Sequence, residues 1–121
     1  MPWRFAGRAE DRIDDVILES ARRWGIQAAG RYNRLIFAAI DAIGEDSALA
    51  GSRPIADLPG ARSYHLRSAR RLVPAEHRVG EPRQLVIYRV AENGMVEILS
   101  LVHDRQRLRQ AARRAQREAD G

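Results

Sequence analysis

The chain has 121 residues, 45% of them hydrophobic, with 21 basic against 16 acidic side chains and no cysteine. This length supports one domain around one core, and the apolar content excludes a chain disordered throughout. The missing cysteine excludes a disulfide framework, a thiolate nucleophile and any cysteine-based zinc site.

The opening Met1-Pro2-Trp3-Arg4-Phe5 has no long apolar stretch of the signal-peptide kind, and no apolar run approaches the roughly 20 residues that span a bilayer. The expected location is therefore the cytoplasm, with no membrane partner. Every lysine-or-arginine position is arginine, and the net charge is +5. The choice of arginine is equally explained by genome composition. The charge excess itself suits nucleic acid or an acidic protein surface.

Residues 2–6 are expected to form a short edge strand with Trp3 and Phe5 on one face. Ala9, Ile13, Val16, Ile17, Ser20, Ala21 and Trp24 then recur at three- and four-residue steps, the spacing of one helix face. Glu10 and Asp11 in the first turn and Arg22 and Arg23 in the last complement the helix dipole, and Gly25 reads as the stop. A second stripe, Ala28 or Ala29, Tyr32, Leu35, Ile36, Ala39, Ile40 and Ile43, runs to Gly44. Two helices joined by one glycine fold back as an antiparallel hairpin. Residues 44–61, with Gly51, Pro54, Pro59 and Gly60, read as loop.

The period then changes to two. Ser63–Arg67 is an expected strand, residues 69–82 a long connection, and Leu85–Val90 and Met95–Val102 two strong strands. Asn93-Gly94 between them predicts a two-residue hairpin turn. That register pairs Val90 with Glu97, Tyr88 with Leu99, Val86 with Leu101 and Gln84 with His103. Tyr88, Val86, Leu99, Leu101 and His103 then share one face, and Leu85, Ile87, Arg89, Val96, Ile98 and Val102 the other. Both faces are apolar, so both need cover: the helical hairpin on one, the tail helix or a partner chain on the other. From Asp104 the chain turns helical and basic, with a thin stripe of Leu108, Ala111, Ala112 and Ala115. Beyond Ala115 a solvated, frayed end is expected. The fold class is thus α+β in the order β-α-α-β-β-β, an N-terminal strand and helical hairpin packed on a small antiparallel sheet. Its core spans about residues 3–104, and 105–121 form a basic helical tail of the same domain.

No chemistry-bearing motif stands out. His65, His77 and His103 lack metal-ligand spacing, there is no glycine-rich phosphate loop, and no cofactor or metal is expected. His103, at the end of the last strand, suits a general acid or base, or else a hydrogen bond to Gln84 or nearby backbone. Asp104 falls opposite Arg83, the geometry of a structural ion pair. Arg67, Arg70, Arg71, Arg83 and Arg89 lie on or beside neighbouring strands, either as an anion-binding cluster or as a solvated sheet edge.

The element order and four strings resemble the RelE/ParE superfamily of toxin–antitoxin toxins. The strings are Ala9–Val16; Arg23-Trp24-Gly25-Ile26-Gln27-Ala28-Ala29-Gly30-Arg31-Tyr32; Pro82–Val90, which ends in Tyr-Arg-Val; and Ile98–Arg105. Together they cover most of residues 9–110. The resemblance implies a toxin neutralised by a cognate antitoxin, with Trp24, Tyr32, Tyr88, Leu99 and Leu101 as antitoxin contacts. In the ParE branch the target is DNA gyrase, poisoned by binding, with Arg83, Arg89, His103, Arg105 and Arg109 as target contacts. In the RelE branch the toxin is a nuclease cutting messenger RNA on the ribosome, and His103, Arg105 and Arg67 would be catalytic. There the ribose 2′-oxygen attacks the adjacent phosphate while arginine steadies the developing charge. The nuclease pattern's tyrosine is missing, since none follows Tyr88, and the one-glycine helix joint is more like ParE. A toxin that binds gyrase is the first expectation, a ribosome-dependent nuclease the second, and a nonspecific nucleic-acid-binding module the third.

Overall fold

The computed structural model describes residues 3–121. Strand β1 (Trp3–Phe5) is followed by helices α1 (Ala9–Trp24) and α2 (Ile26–Glu45), strands β2 (Ser52–Pro54), β3 (Ala61–His65), β4 (Gln84–Val90) and β5 (Val96–His103), and helix α3 (Leu108–Asp120). The sheet order is β1-β5-β4-β3-β2, with β1 parallel to β5 and every other pair antiparallel. Of the expected N-terminal strand, Pro2 lies outside the described residues. No helix among the described residues is long and apolar enough to cross a membrane.

The helical hairpin forms as its stripes predict. Gly25 alone joins the helices: its N–H closes the last turn of α1 on the Ala21 carbonyl, and its own carbonyl accepts from Ala29 N–H to start α2. Ile13, Leu35, Ile36, Ala39, Ile40 and Ile43 are all buried against the sheet. Trp24 departs from the stripe. It is 71% exposed, beside Ile26 at 86%, because the helix joint projects beyond the structure that the stripes cover.

The β4–β5 register is where sequence and structure part. The loop has three residues, Glu92–Gly94, not two: Ala91 N–H bonds the Met95 carbonyl at 2.8 Å, and Gly94 takes φ +84°. Asn93 Oδ1 accepts from Met95 N–H at 3.0 Å and fixes the turn. Asn-Gly serves this loop as well as the two-residue one, with glycine as the left-handed residue. The ladder therefore starts one residue off, pairing Val90 with Val96, Arg89 with Glu97 and Tyr88 with Ile98. A bulge then restores the expected pairs Ile87–Ser100, Val86–Leu101 and Gln84–His103, leaving Leu99 as the extra residue.

One inserted residue inverts the faces on its turn side, since side chains alternate with period two. Val96 and Ile98 join Val86, Tyr88 and Leu101 under the helical hairpin. Leu99 crosses to the opposite face, with Ile87 and Val102. The expected grouping of Leu99 with Tyr88 is thus corrected.

Helix α3 covers that second face. Ala112 and Ala115 are buried against Ile87, Leu99 and Val102, with Ile55 and Leu58 alongside. Apart from the partly buried Leu108, the helix contributes small side chains, but each large sheet residue that it shields from water is worth roughly 1.5–3 kcal/mol. Its end is held as well. Glu118 accepts from Arg12 at 2.7 Å, and Asp120 accepts from both terminal nitrogens of Arg89 at 2.7 and 3.1 Å. The expectation of a frayed, solvated end beyond Ala115 is overturned by these contacts.

Two further boundaries differ from expectation. Residues 52–54 form an edge strand on β3 where a loop was expected, with Pro54 tolerated because nothing pairs beyond the edge. β3 spans Ala61–His65, and the chain from Leu66 to Leu72 is a tight 3-10 turn, not strand.

Glu97, with its side chain 8% exposed, accepts from Arg89 Nε at 2.7 Å and from Arg4, so it ties β4, β5 and β1 together. The hydrogen bond from Arg4, then that from Arg89, holds its carboxyl below the usual carboxylate range. Glu97→Gln keeps the shape and removes the charge that both guanidinium groups face. Urea unfolding at neutral pH is expected to show a loss of about 1–3 kcal/mol, the scale of a hydrogen bond to a charged group.

Candidate functional site

A groove of about 900 Å³ opens between the joint end of the helical hairpin, the segment 78–84 and the end of β5. The hairpin brings Ser20, Arg23, Trp24, Arg31 and Tyr32 to it, and the sheet brings Gln84, Leu101 and His103. Five arginines line it (Arg12, Arg23, Arg31, Arg78, Arg83) with three carboxylates (Asp15, Glu19, Glu81); Arg12, Arg23 and Arg83 are paired with Glu118, Glu19 and Asp104, so the wall carries charge of both signs. Two residues that line it, Ser20 and Gln84, each carry a buried side-chain oxygen with no hydrogen-bond partner among the described residues. Buried polar atoms are normally satisfied, so an unpaired pair in a groove suits an incoming donor.

At the end of β5 a polar network closes the floor. Asp104 Oδ2 accepts from His65 Nε2 at 3.1 Å, and Asp104 Oδ1 accepts from Arg83 Nε at 3.3 Å. Asp104 N–H also donates to the Arg83 carbonyl at 2.7 Å, fixing the pair on both backbone and side chain. His65 Nδ1 accepts from Arg67 N–H at 3.1 Å, which leaves the proton on Nε2 for Asp104. The His65 hydrogen bond is the main reason that the Asp104 carboxyl lies below its ordinary range; burial works against it and Arg83 supports it. Tyr32 Oη accepts from Arg83 N–H at 3.3 Å, and burial is the larger influence raising the Tyr32 phenol.

His103 is placed as its register predicts, opposite Gln84. Its Nδ1 accepts from Arg105 N–H at 3.1 Å and stands 3.4 Å from Asp104 Oδ1. Of the two expected structural roles, the backbone bond is the one found. Its imidazole is 41% exposed at the groove and is the group best placed there to move a proton. His65 and Asp104 lie in the same network, yet no group of three histidine, cysteine, aspartate or glutamate side chains able to hold a metal is found among the described residues.

The other sequence-derived residues divide. Arg83, His103 and Arg105 gather at one end of the sheet. Arg89 sits six residues along β4, roughly 20 Å away, and is locked between Glu97 and Asp120. Arg109 pairs with Asp57 at 2.5 Å on the α3 side. Arg67 lies just past His65 on the 3-10 turn. Trp24 and Tyr32 line the groove, and Leu101 touches it from a largely buried position. Tyr88 and Leu99 are fully buried on opposite faces of the sheet and offer no surface in this conformation. The Tyr88 hydroxyl instead donates to the Ser47 carbonyl and meets Ser52 Oγ, pinning the 47–52 loop.

Sequence reasoning missed His65 as a site residue, along with Ser20 and Gln84. The signal for His65 was long-range, since it reaches Asp104 only once β3 pairs with β4 and β4 with β5.

Comparison with known proteins places these features in a family. The family described as "ParE toxin of type II toxin-antitoxin system, parDE" matches residues 3–108. The chain is 30% identical over 103 residues to Toxin ParE1 of Caulobacter vibrioides, covering 84% of this chain and 88% of that protein.

The lowered Asp104 carboxyl gives a pH test. Because its folded pKa is depressed, its contribution is fully present above the unfolded value of about 3.9 and is lost as pH falls through the folded value. Asp104→Asn is expected to cost about 1 kcal/mol at pH 7, scaled down for partial solvation. In thermal melts, the gap between parent and variant closes as pH drops below about 4.

Proposed function

Since this chain belongs to the ParE toxin family of type II toxin–antitoxin systems, we propose that it inhibits DNA gyrase by binding, without catalysis, and that a cognate antitoxin silences it by filling the groove beneath Trp24. The observation that carries the antitoxin reading is the combination in that groove of a 71% exposed tryptophan, two arginines, Arg31 and Arg78, that make no ion pair among the described residues, and buried oxygens on Ser20 and Gln84 without a hydrogen-bond partner among those residues. An acidic segment with apolar anchors would cover Trp24 and meet the arginines, and its N–H groups would satisfy Ser20 and Gln84. On the target side, Arg83, His103 and Arg105 form the exposed basic end of the sheet. Arg83 is engaged by Asp104, and the tyrosine that shares the groove, Tyr32, accepts from Arg83 N–H and has its phenol pushed up by burial, away from the range in which it would act as a base. That set suits recognition better than phosphodiester cleavage.

Trp24→Ala is expected to weaken antitoxin binding about 30-fold or more, the effect of losing a central aromatic anchor. Because Trp24 is mostly exposed, the free chain's melting temperature should change little. The target is tested by adding purified chain to a gyrase supercoiling reaction and, in parallel, to a translating extract. Inhibition of supercoiling with messenger RNA left intact, reduced only modestly by His103→Ala, is the expected result. Intact gyrase activity with messenger RNA cut in the extract, lost on His103→Ala, would assign the nuclease mechanism instead.

A further inference from the structure

A second concave site lies outside the groove, at the 3-10 turn between β3 and β4. Its cavity, about 490 Å³, is lined by Gly51, Ser68 and four arginines: Arg67, Arg70, Arg71 and Arg78. No carboxylate lines it. Elsewhere the chain commonly matches arginine with acid, as at Arg4, Arg12, Arg83, Arg89 and Arg109. None of these four arginines makes an ion pair among the described residues.

Two of the four are also tied to the backbone. Arg70 Nε donates to the Val79 carbonyl and Arg78 Nε to the Val73 carbonyl, each at 2.9 Å. These bonds anchor two like charges around one hollow without neutralising either, so the fold sustains their mutual repulsion.

Behind that wall lies Tyr64, fully buried and not itself a lining residue, whose hydroxyl has no hydrogen-bond partner among the described residues. Its ring edge lies 3.2 Å from where a Cβ on Gly51 would stand, and Ser68 Oγ lies 2.8 Å from the same point. Any side chain at residue 51 would therefore crowd both groups. Arg71 is close enough that its charge opposes the effect of burial on the Tyr64 phenol.

We propose that this cavity is an anion site for adjacent phosphate groups, held by the forked guanidinium groups of Arg67, Arg70, Arg71 and Arg78 with the Ser68 hydroxyl. Planar arginine forks match phosphate oxygens, and the volume is that of a small-ligand site. The shared chemistry is two or three consecutive phosphates, supplied either by a free nucleoside triphosphate or by the backbone of a nucleic acid strand. The site is independent of the groove's proposed role, apart from Arg78, which borders both.

The test uses the full chain and calorimetric titration with inorganic tripolyphosphate at low salt. The parent should bind, and Arg67→Gln/Arg71→Gln should bind at least tenfold more weakly. Arg113→Gln/Arg114→Gln, which removes the same charge from exposed positions on α3, should bind like the parent. Arg71→Lys, which keeps the charge and loses the fork, should fall between the two. Competition by ATP but not by a 20-base-pair duplex identifies the free nucleotide as source. Competition by the duplex, with a salt slope that drops by about one for each arginine removed, identifies the nucleic acid backbone. The proposal is overturned if tripolyphosphate does not bind, if both double variants lose affinity equally, or if an acidic peptide displaces tripolyphosphate at lower concentration than ATP and the duplex do. Since Arg67 and Arg71 are exposed, melting temperatures should match the parent. Binding unaltered in a fully folded Arg67→Gln/Arg71→Gln chain also overturns it.

Discussion

The structure depends on the β4–β5 ladder and on the single bulge at Leu99. That bulge decides which apolar residues face the helical hairpin and which face α3. On one side, Val86, Tyr88, Val96, Ile98 and Leu101 meet the stripes of α1 and α2. On the other, Ile87, Leu99 and Val102 would face water without α3. Two apolar faces on one small sheet demand two covers, and the chain supplies both. Glu97, between Arg4 and Arg89, fastens the same region electrostatically, and Arg89 passes the connection on to the end of α3 through Asp120.

Much of this was legible in the sequence. The helical hairpin followed from the spacing of Ile13, Leu35, Ile36, Ile40 and Ile43 and from Gly25, because a 3.6-residue period is a local property. The β4 and β5 strands followed from their apolar runs, and the Arg83–Asp104 pair from the far half of the ladder. The face of Leu99 was not legible, because Asn93-Gly94 suits two loop lengths and only packing chooses between them. β2 was missed because Ser52-Arg53-Pro54 is too short to show alternation. That α3 covers the second face and no partner chain is needed for it stayed open in the sequence, because the buried stripe of α3 is alanine, a weak hydrophobic signal, while the residues that it covers lie on other elements. Trp24 shows the converse: its periodic position pointed inward, but the helix joint extends past anything able to bury it. The His65–Asp104 contact depends on three strands in register, so no local pattern announced it.

The arginine excess also looks different once placed in space. Many of the guanidinium groups serve the fold: Arg12, Arg83, Arg89 and Arg109 each hold an acidic residue from a distant part of the chain. The arginines left without an ion pair among the described residues are spread over several elements, and two hollows gather some of them. One is the groove, where apolar surface and unpaired oxygens accompany the charge, a mixture suited to a protein segment. The other is the cavity at the 3-10 turn, where four arginines gather with no carboxylate among the described lining residues, a composition suited to phosphate. A composition-level reading would have merged the two.

The central claim is that the chain closes its own sheet, so that the groove and the arginine cavity stand free for partners. Amide hydrogen exchange of the isolated chain tests it most directly. The account predicts protection in α3 beyond its first turn and in Leu99–Val102, with the two segments opening together, because each buries the other. Exchange throughout α3 at the rate of an unstructured peptide, with β4 and β5 still protected, would contradict it and return the second face to the category of surfaces that only a partner covers.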